Sequence, residues 1–135
     1  MGKLYDFLME GEAAAQETAE VHISGFPHPF LIHSITEAEN KAIRKTCQKV
    51  SFDKRTRQRS AETDQEMYVS RLAAACCTEP NFKDAQLQAR YGAVGEDELM
   101  GKILKPGQFN ELMTAIMELN GFSSDMDELR DEAKN

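Results

Sequence analysis

Three cysteines and three histidines carry the side chains of this sequence that most readily bind metals or act as nucleophiles. They are Cys47, Cys76, Cys77, His22, His28 and His33. Zinc sites usually show ligands at tight spacing, such as Cys-x-x-Cys or His-x-x-x-His. The cysteines lack that spacing, and the histidines lie far from them in sequence. The sequence therefore predicts no metal site, and Cys76 and Cys77 are interpreted as small core residues.

The acidic residues form no catalytic pattern. Glu96, Asp97 and Glu98 stand together, but they open a predicted helix, where capping and the helix dipole account for them. No glycine-rich loop opens a helix, so nucleotide binding has no support. No nucleophile elbow or cysteine-protease signature surrounds a serine or a cysteine. The sequence therefore predicts a protein that is not an enzyme and needs no cofactor.

Basic residues concentrate in residues 41–59. Eight Lys and Arg residues and one acid, Asp53, give this stretch a net charge of +7, so the remainder carries −14 in a chain of formal net charge −7. Such a stretch is typical of a surface that binds phosphates or an acidic protein. No aromatic residue is interleaved with residues 55–59 to stack on bases, which favours the alternative of a solvated loop. That loop is predicted to be mobile between Phe52 and Ala61.

Methionine supplies the remaining hint of function, because four of the seven methionines lie in the last third of the chain. Met is unbranched and polarizable, so it suits surfaces that adapt to an irregular partner, although it also fills gaps in a core. The core interpretation is favoured, and the partner interpretation is kept beside it. The candidate partner-binding residues lie on the apolar faces of two predicted helices and are Leu99, Met100, Phe109, Met113, Ile116 and Met117.

Local signals divide the chain into elements. Residues 20–24 and 30–35 are predicted as strands around a Gly- and Pro-rich loop, which makes a β-hairpin. Two capping boxes of the type Thr-x-x-Glu predict helices over about 36–48 and 63–78, the second as the central core helix.

Shorter helices are predicted over residues 84–91, 96–104 and 106–120, and a final acidic helix or tail over 125–133. Prolines and glycines separate these elements. The predicted fold class is therefore mainly α: an N-terminal β-hairpin followed by a bundle of about five or six short helices.

The 135 residues fit one domain, predicted over residues 19–135 after a flexible N-terminal segment, residues 1–18. The alternative for that segment is docking on the domain or on a partner through Leu4, Phe7 and Leu8.

The composition indicates a cytoplasmic protein. Charged residues interrupt the apolar residues near the N-terminus, so no signal peptide is expected. No apolar run approaches the about 18 residues of a membrane span, and the odd cysteine count suits a reducing compartment.

The order of the segments that contain proline or glycine along the chain resembles the order in a known family. The segments that carry the resemblance are Pro80 to Gln88, Tyr91-Gly92, Lys105-Pro106-Gly107 and Asn120-Gly121-Phe122. At these spacings they resemble the XkdN-like phage tail assembly chaperones. The resemblance extends to residues 7–11, to the β segment around Val21 and to residues 67–134, and it is weakest over residues 49–61.

The resemblance implies a small non-virion protein of the infected host cytoplasm. Such chaperones are thought to coat the tape measure protein, keep it soluble and recruit tail tube subunits. A long helical protein exposes apolar stripes until the tube encloses it, and an adaptable helix face could cover them. Self-association is left open, and no membrane partner is expected. The alternative function is a small nucleic-acid-binding phage regulator that uses residues 41–59.

Overall fold

The structure is a computed structural model that describes residues 2–11 and 16–122, so the acidic helix predicted at 125–133 lies outside the described residues. Within them the structure has six helices and five strands. The helices are α1 (Lys3–Met9), α2 (Glu37–Thr46), α3 (Gln65–Cys76), α4 (Ala85–Arg90), α5 (Glu96–Ile103) and α6 (Pro106–Leu119). The strands are β1 (Thr18–Val21), β2 (Phe30–His33), β3 (Gln48–Asp53), β4 (Gln58–Thr63) and β5 (Cys77–Glu79).

The fold class is α+β: 49% of the described residues are helical, and 20% form strands in two small antiparallel sheets. The predicted mainly helical fold with a single hairpin is therefore wrong, although the hairpin itself and the order of helices α2 to α6 agree with the structure. The strands that sequence analysis missed are β3, β4 and β5. Strand β5 is stabilised by pairing with the distant β2, whereas β3 and β4 pair with each other. Local propensity gives little sign of the three strands.

The first sheet extends the predicted hairpin by one strand. Strand β1 pairs with β2 from Thr18↔His33 to Val21↔Phe30, and β5 joins the other edge of β2 through Ile32↔Cys77. A two-stranded hairpin alone is marginal in water. The third strand and the packing of α6 against β1 and β2 supply what it lacks.

The second sheet is a hairpin formed by β3 and β4, and it corrects the prediction of a loop between Phe52 and Ala61. Six residue pairs run from Gln48↔Thr63 to Asp53↔Gln58. The turn at its tip has Arg57 in the left-handed region, with φ of 56°. At its base the Asp64 amide donates to the Cys47 carbonyl at 2.6 Å. None of the twelve strand residues is buried.

Side-chain caps begin several helices where the sequence predicts them. Thr36 accepts from the Glu39 amide at 3.2 Å, and Asp84 accepts from the Leu87 amide at 2.9 Å. The cap of α3 is Asp64, one residue after the predicted Thr63. Pro106 is the first residue of α6, where its missing amide costs little.

Helix α3 lies at the centre of the core, as predicted, and packs against α2, α5 and α6. Tyr68, Leu72, Ala73 and Cys76 are fully buried on it. The hydroxyl of Tyr68 donates to the side-chain oxygen of Asn40, a buried polar residue of α2. This bond satisfies a polar group that would otherwise be costly to bury.

We expect Tyr68→Phe to lower the free energy of unfolding by about 1–3 kcal/mol, because the buried Asn40 oxygen loses its donor. The ring that lies 5.0 Å from the Arg44 guanidinium is retained, so the loss reports the hydrogen bond. Chemical denaturation measures it. Tyr91→Phe at an exposed ring is the matched control, and equal effects of the two variants would contradict this role of Asn40.

We expect replacement of residues 52–59 by Asn-Gly to change the melting temperature by no more than about 2 °C, because the removed residues are exposed. Asn-Gly favours a tight two-residue hairpin turn and keeps the strand bases. Circular dichroism melts measure the effect. A large drop would show that the hairpin supports the core. Cys47→Asp, at a buried position beside the hairpin base, is the destabilising control.

Candidate functional site

The six residues predicted to bind a partner come together in space, but most of them lie inside the core. Leu99, Met100, Met113, Ile116 and Met117 are all less than 5% exposed. Phe109 is half-buried and is the member of the set that a partner could reach in this conformation. Leu112 and Met113 are both fully buried, so α6 has no exposed methionine edge beside a buried leucine edge. That these residues bind a partner stays a prediction.

Phe109 borders a shallow groove of about 330 Å³ between α3, α5 and the start of α6. Its lining is largely apolar and comprises Ser70, Asp97, Met100, Gly101, Leu104, Pro106 and Phe109. Burial raises the pKa of the Asp97 carboxyl, and the Arg71 guanidinium opposes that rise from 3.8 Å. The groove is thus an apolar surface with one carboxylate at its edge.

Helix α1 carries the densest exposed apolar surface of the described residues. Its five large apolar side chains are each between 45% and 69% exposed and none of its residues is buried. This α1 surface consists of Leu4, Tyr5, Phe7, Leu8 and Met9. At about 100° per residue these side chains cover one broad arc, while Lys3 and Asp6 occupy the other. Leu4, Phe7 and Leu8 are the residues through which the sequence suggests docking as an alternative to a flexible segment.

A second exposed apolar surface lies on the β3–β4 hairpin. Val50 and Phe52 are 70% and 57% exposed, and they are two apart on β3, so they share one face. Val50 is opposite Ala61. The spacing of Val50 and Phe52 two residues apart is the sequence pattern that indicates a strand here. It is weak because the surrounding residues are polar or basic.

The residues that could do redox or metal chemistry are not assembled for it. The three cysteines are buried and free. Burial raises the pKa of Cys76 to about 11 and that of Cys77 to about 12. Among the described residues, no three His, Cys, Asp or Glu side chains are grouped so that they could hold a metal ion. No helix within 2–11 and 16–122 has the length and apolarity to cross a membrane.

The model of the phage XkdN-like tail assembly chaperone family matches residues 4–134. The chain belongs to this family. The resemblance found in the sequence is thus confirmed, and a tail assembly chaperone family indicates a non-enzymatic role. Relatives of this XkdN-like chaperone in Bacillus subtilis (strain 168) include protein YqbN, 29% identical over 98% of this chain and 95% of that protein. Another is the phage-like element PBSX protein XkdN, 27% identical with the same shares covered.

A solved structure supports the fold of this XkdN-like chaperone. The crystal structure of protein YqbN superposes with a TM-score of 0.69, at 24% identity, over 87% of this chain and 95% of that chain.

We expect Cys76 and Cys77 to react slowly with Ellman's reagent at pH 8 in the folded protein. The thiolate is the reactive form, and raised pKa values keep both thiols protonated well above pH 8. All three cysteines should react promptly in guanidinium chloride. Ser51→Cys, which adds an exposed thiol on β3, is the control that should react at once. Rapid labelling of the native wild-type protein would contradict the burial.

Proposed function

We propose that this tail assembly chaperone binds the tape measure protein of its phage, keeps it soluble and helps to recruit tail tube subunits. Membership of the family supports the general role. The observation that carries the specific role is the α1 surface, where five large apolar side chains face solvent on one short helix. In this proposal the protein acts in the host cytoplasm and leaves before the virion is complete.

The chemistry of the α1 surface suits an elongated helical partner. Apolar stripes on a long helix associate through side chains spaced three and four residues apart. Leu4, Phe7 and Leu8 have that spacing. Tyr5 and Met9 widen the surface, and Met accommodates irregular contacts. A short helix of this kind could dock on many similar segments of one repetitive partner.

The size of the α1 surface favours weak, reversible binding. Full burial of one large apolar side chain contributes about 1.5–3 kcal/mol, and association itself costs about 4–15 kcal/mol in lost freedom of motion. A handful of such side chains therefore gives only modest affinity for each contact. Modest affinity fits a chaperone that must leave as the tube grows.

The Phe109 groove is the part of the originally predicted helix face that remains open to this partner. Its apolar lining could hold one side chain of the tape measure protein. Met113 and Met117 would contribute only if α6 moved away from α3, because both are buried.

We expect Leu4→Asp with Leu8→Asp to abolish the solubilisation of the co-expressed tape measure protein. Neither side chain is buried, so the melting temperature of the chaperone should not change. The measurement is the fraction of tape measure protein in the soluble lysate. Lys3→Ser with Asp6→Ser, on the polar side of the same helix, is the matched control and should retain rescue.

Two further variants distinguish partner binding by the α1 surface from partner binding by the Phe109 groove. Phe109→Asp should retain rescue if α1 carries the binding, and it should lose rescue if the groove does. Met113→Asp with Met117→Asp should unfold the chaperone, because it places two carboxylates in the core. Full rescue by the Leu4→Asp, Leu8→Asp variant would refute the role of α1.

A further inference from the structure

The β3–β4 hairpin has two unlike faces. Directly opposed residues of paired strands point to the same side, so Val50 with Ala61 and Phe52 with Arg59 form one face. The other face is polar, and on it the hydroxyl oxygens of Ser51 and Ser60 lie 2.5 Å apart. We call the first the hairpin apolar face. It has an aliphatic pair, Val50 and Ala61, nearer the base and the opposed pair Phe52 and Arg59 nearer the tip.

Nothing in the described chain covers the hairpin apolar face, since all of its members are exposed. An isolated two-stranded ribbon is marginal in water. Strands that pair only with each other and show an apolar face to solvent are typical of a docking element. A surface that binds the hairpin should therefore be apolar where it meets the hairpin apolar face. It should also carry negative charge, because the hairpin tip carries Lys54, Arg55 and Arg57.

The same chain has a groove of that chemistry. It measures about 500 Å³ and lies between the start of α2, the end of α6 and the segment before β1. Among the described residues its lining contains three glutamates and two large apolar residues but no lysine or arginine; it comprises Gln16, Glu17, Ser34, Ile35, Thr36, Glu39, Glu118, Leu119, Asn120 and Gly121. We call it the acidic groove.

Hydrogen bonds hold the walls of the acidic groove in place. The Ile35 amide donates to the Asn120 side-chain oxygen at 2.9 Å, and the Glu17 amide donates to the Ser34 hydroxyl oxygen at 2.9 Å. The Thr36 hydroxyl donates to the Glu39 carboxylate at 3.2 Å. The first two of these bonds join segments that are distant in sequence, and the third lies at the start of α2. The groove of about 500 Å³ has room for a phenylalanine ring and a guanidinium.

The β3–β4 hairpin and the acidic groove lie at opposite ends of α2. This placement determines how two molecules of this chain could contact each other through these surfaces. Thr36 and Glu39 of the acidic groove stand at the start of α2, whereas β3 begins at Gln48, directly after α2 ends. Ten helical residues separate the two by about 15 Å. A molecule that docks its hairpin on a neighbour therefore keeps its own acidic groove free at the other end.

We propose that the hairpin apolar face of one molecule docks in the acidic groove of a second copy, so that molecules associate head to tail. Phe52 contacts the apolar floor of Ile35 and Leu119, and Arg59 pairs with Glu118. A second copy is the occupant because the chain carries both complementary surfaces, with +7 on residues 41–59 and −14 on the rest. Residues 123–135 are less suited to the acidic groove, because they hold five acids and two bases.

Head-to-tail contacts of this kind are heterologous and do not close on themselves unless a rotation happens to complete a ring. The average mass of the purified full chain should rise with concentration above the monomer mass of 15.2 kDa. It should fall back as salt is added, because exposed ion pairs are screened. Light scattering coupled to size-exclusion chromatography, and sedimentation velocity, measure both effects.

A charge exchange tests the pairing. Arg59→Glu gives a molecule with glutamate at both positions 59 and 118, and Glu118→Arg gives one with arginine at both positions. Each variant alone should remain monomeric, while an equal mixture should associate again, since every junction in an alternating series then joins opposite charges. Both side chains are exposed, so the melts should match the wild type. Arg90→Glu, an equal charge change on α4, should associate as the wild type does.

The shortened hairpin that replaces residues 52–59 by Asn-Gly should also remain monomeric. A wild-type protein that stays monomeric at every concentration and salt would overturn the proposal. So would association that neither reversal reduces, or a mixture that fails to recover it. Salt-sensitive binding of duplex DNA by a monomeric wild type would overturn it as well, and would assign the basic hairpin to nucleic acid.

Discussion

The burial of α3 is the constraint on which the rest of the structure depends. Tyr68, Leu72, Ala73 and Cys76 have no exposed surface. Three other helices and strand β5 must therefore surround them. Small side chains at Ala73 and Ala74 let neighbouring elements approach closely, and the Tyr68 hydroxyl satisfies the buried Asn40 of α2. The apolar faces of α5 and α6 are largely used to cover α3, and the Phe109 groove is the part of them that stays open in this conformation.

The helices were predictable because their signals are local. A threonine or aspartate at a cap, a proline at a first turn and a glycine at a C-terminus act within a few residues. Strand β5 was missed because it continues α3 without a breaker before Pro80, and pairing with β2 stabilises the extended conformation of Cys77 to Glu79. The β3–β4 hairpin was missed because its strands are exposed on both faces. The buried alternation by which strands are recognised is therefore weak there.

The sequence predicted which residues form the apolar faces of the candidate site, but it did not predict which of them are exposed. A helical wheel shows that α6 has a wide apolar arc, but it does not show how many neighbours share that arc. In the structure α6 packs against α3 on one side and against β1 and β2 on another. These contacts together cover most of the wide apolar arc, part of which was expected to be free for a partner. Met113 and Met117 accordingly fill the core. The short α1 was treated as a loose segment, although it holds the largest group of exposed apolar side chains among the described residues.

The core is closed, but apolar surfaces remain exposed at the periphery of the molecule. Such surfaces would be expected to associate non-specifically with other proteins unless something restricts their contacts. Charge gives a physical answer for the hairpin. Its free strand edges and the exposed Val50 and Phe52 would invite edge-to-edge pairing between identical hairpins, but two basic tips repel each other. The same charge attracts an acidic surface. Residues 41–59 therefore allow an exposed apolar face to persist in solution while restricting the surfaces it can meet, and the surrounding −14 of the chain supplies one such surface on every other copy.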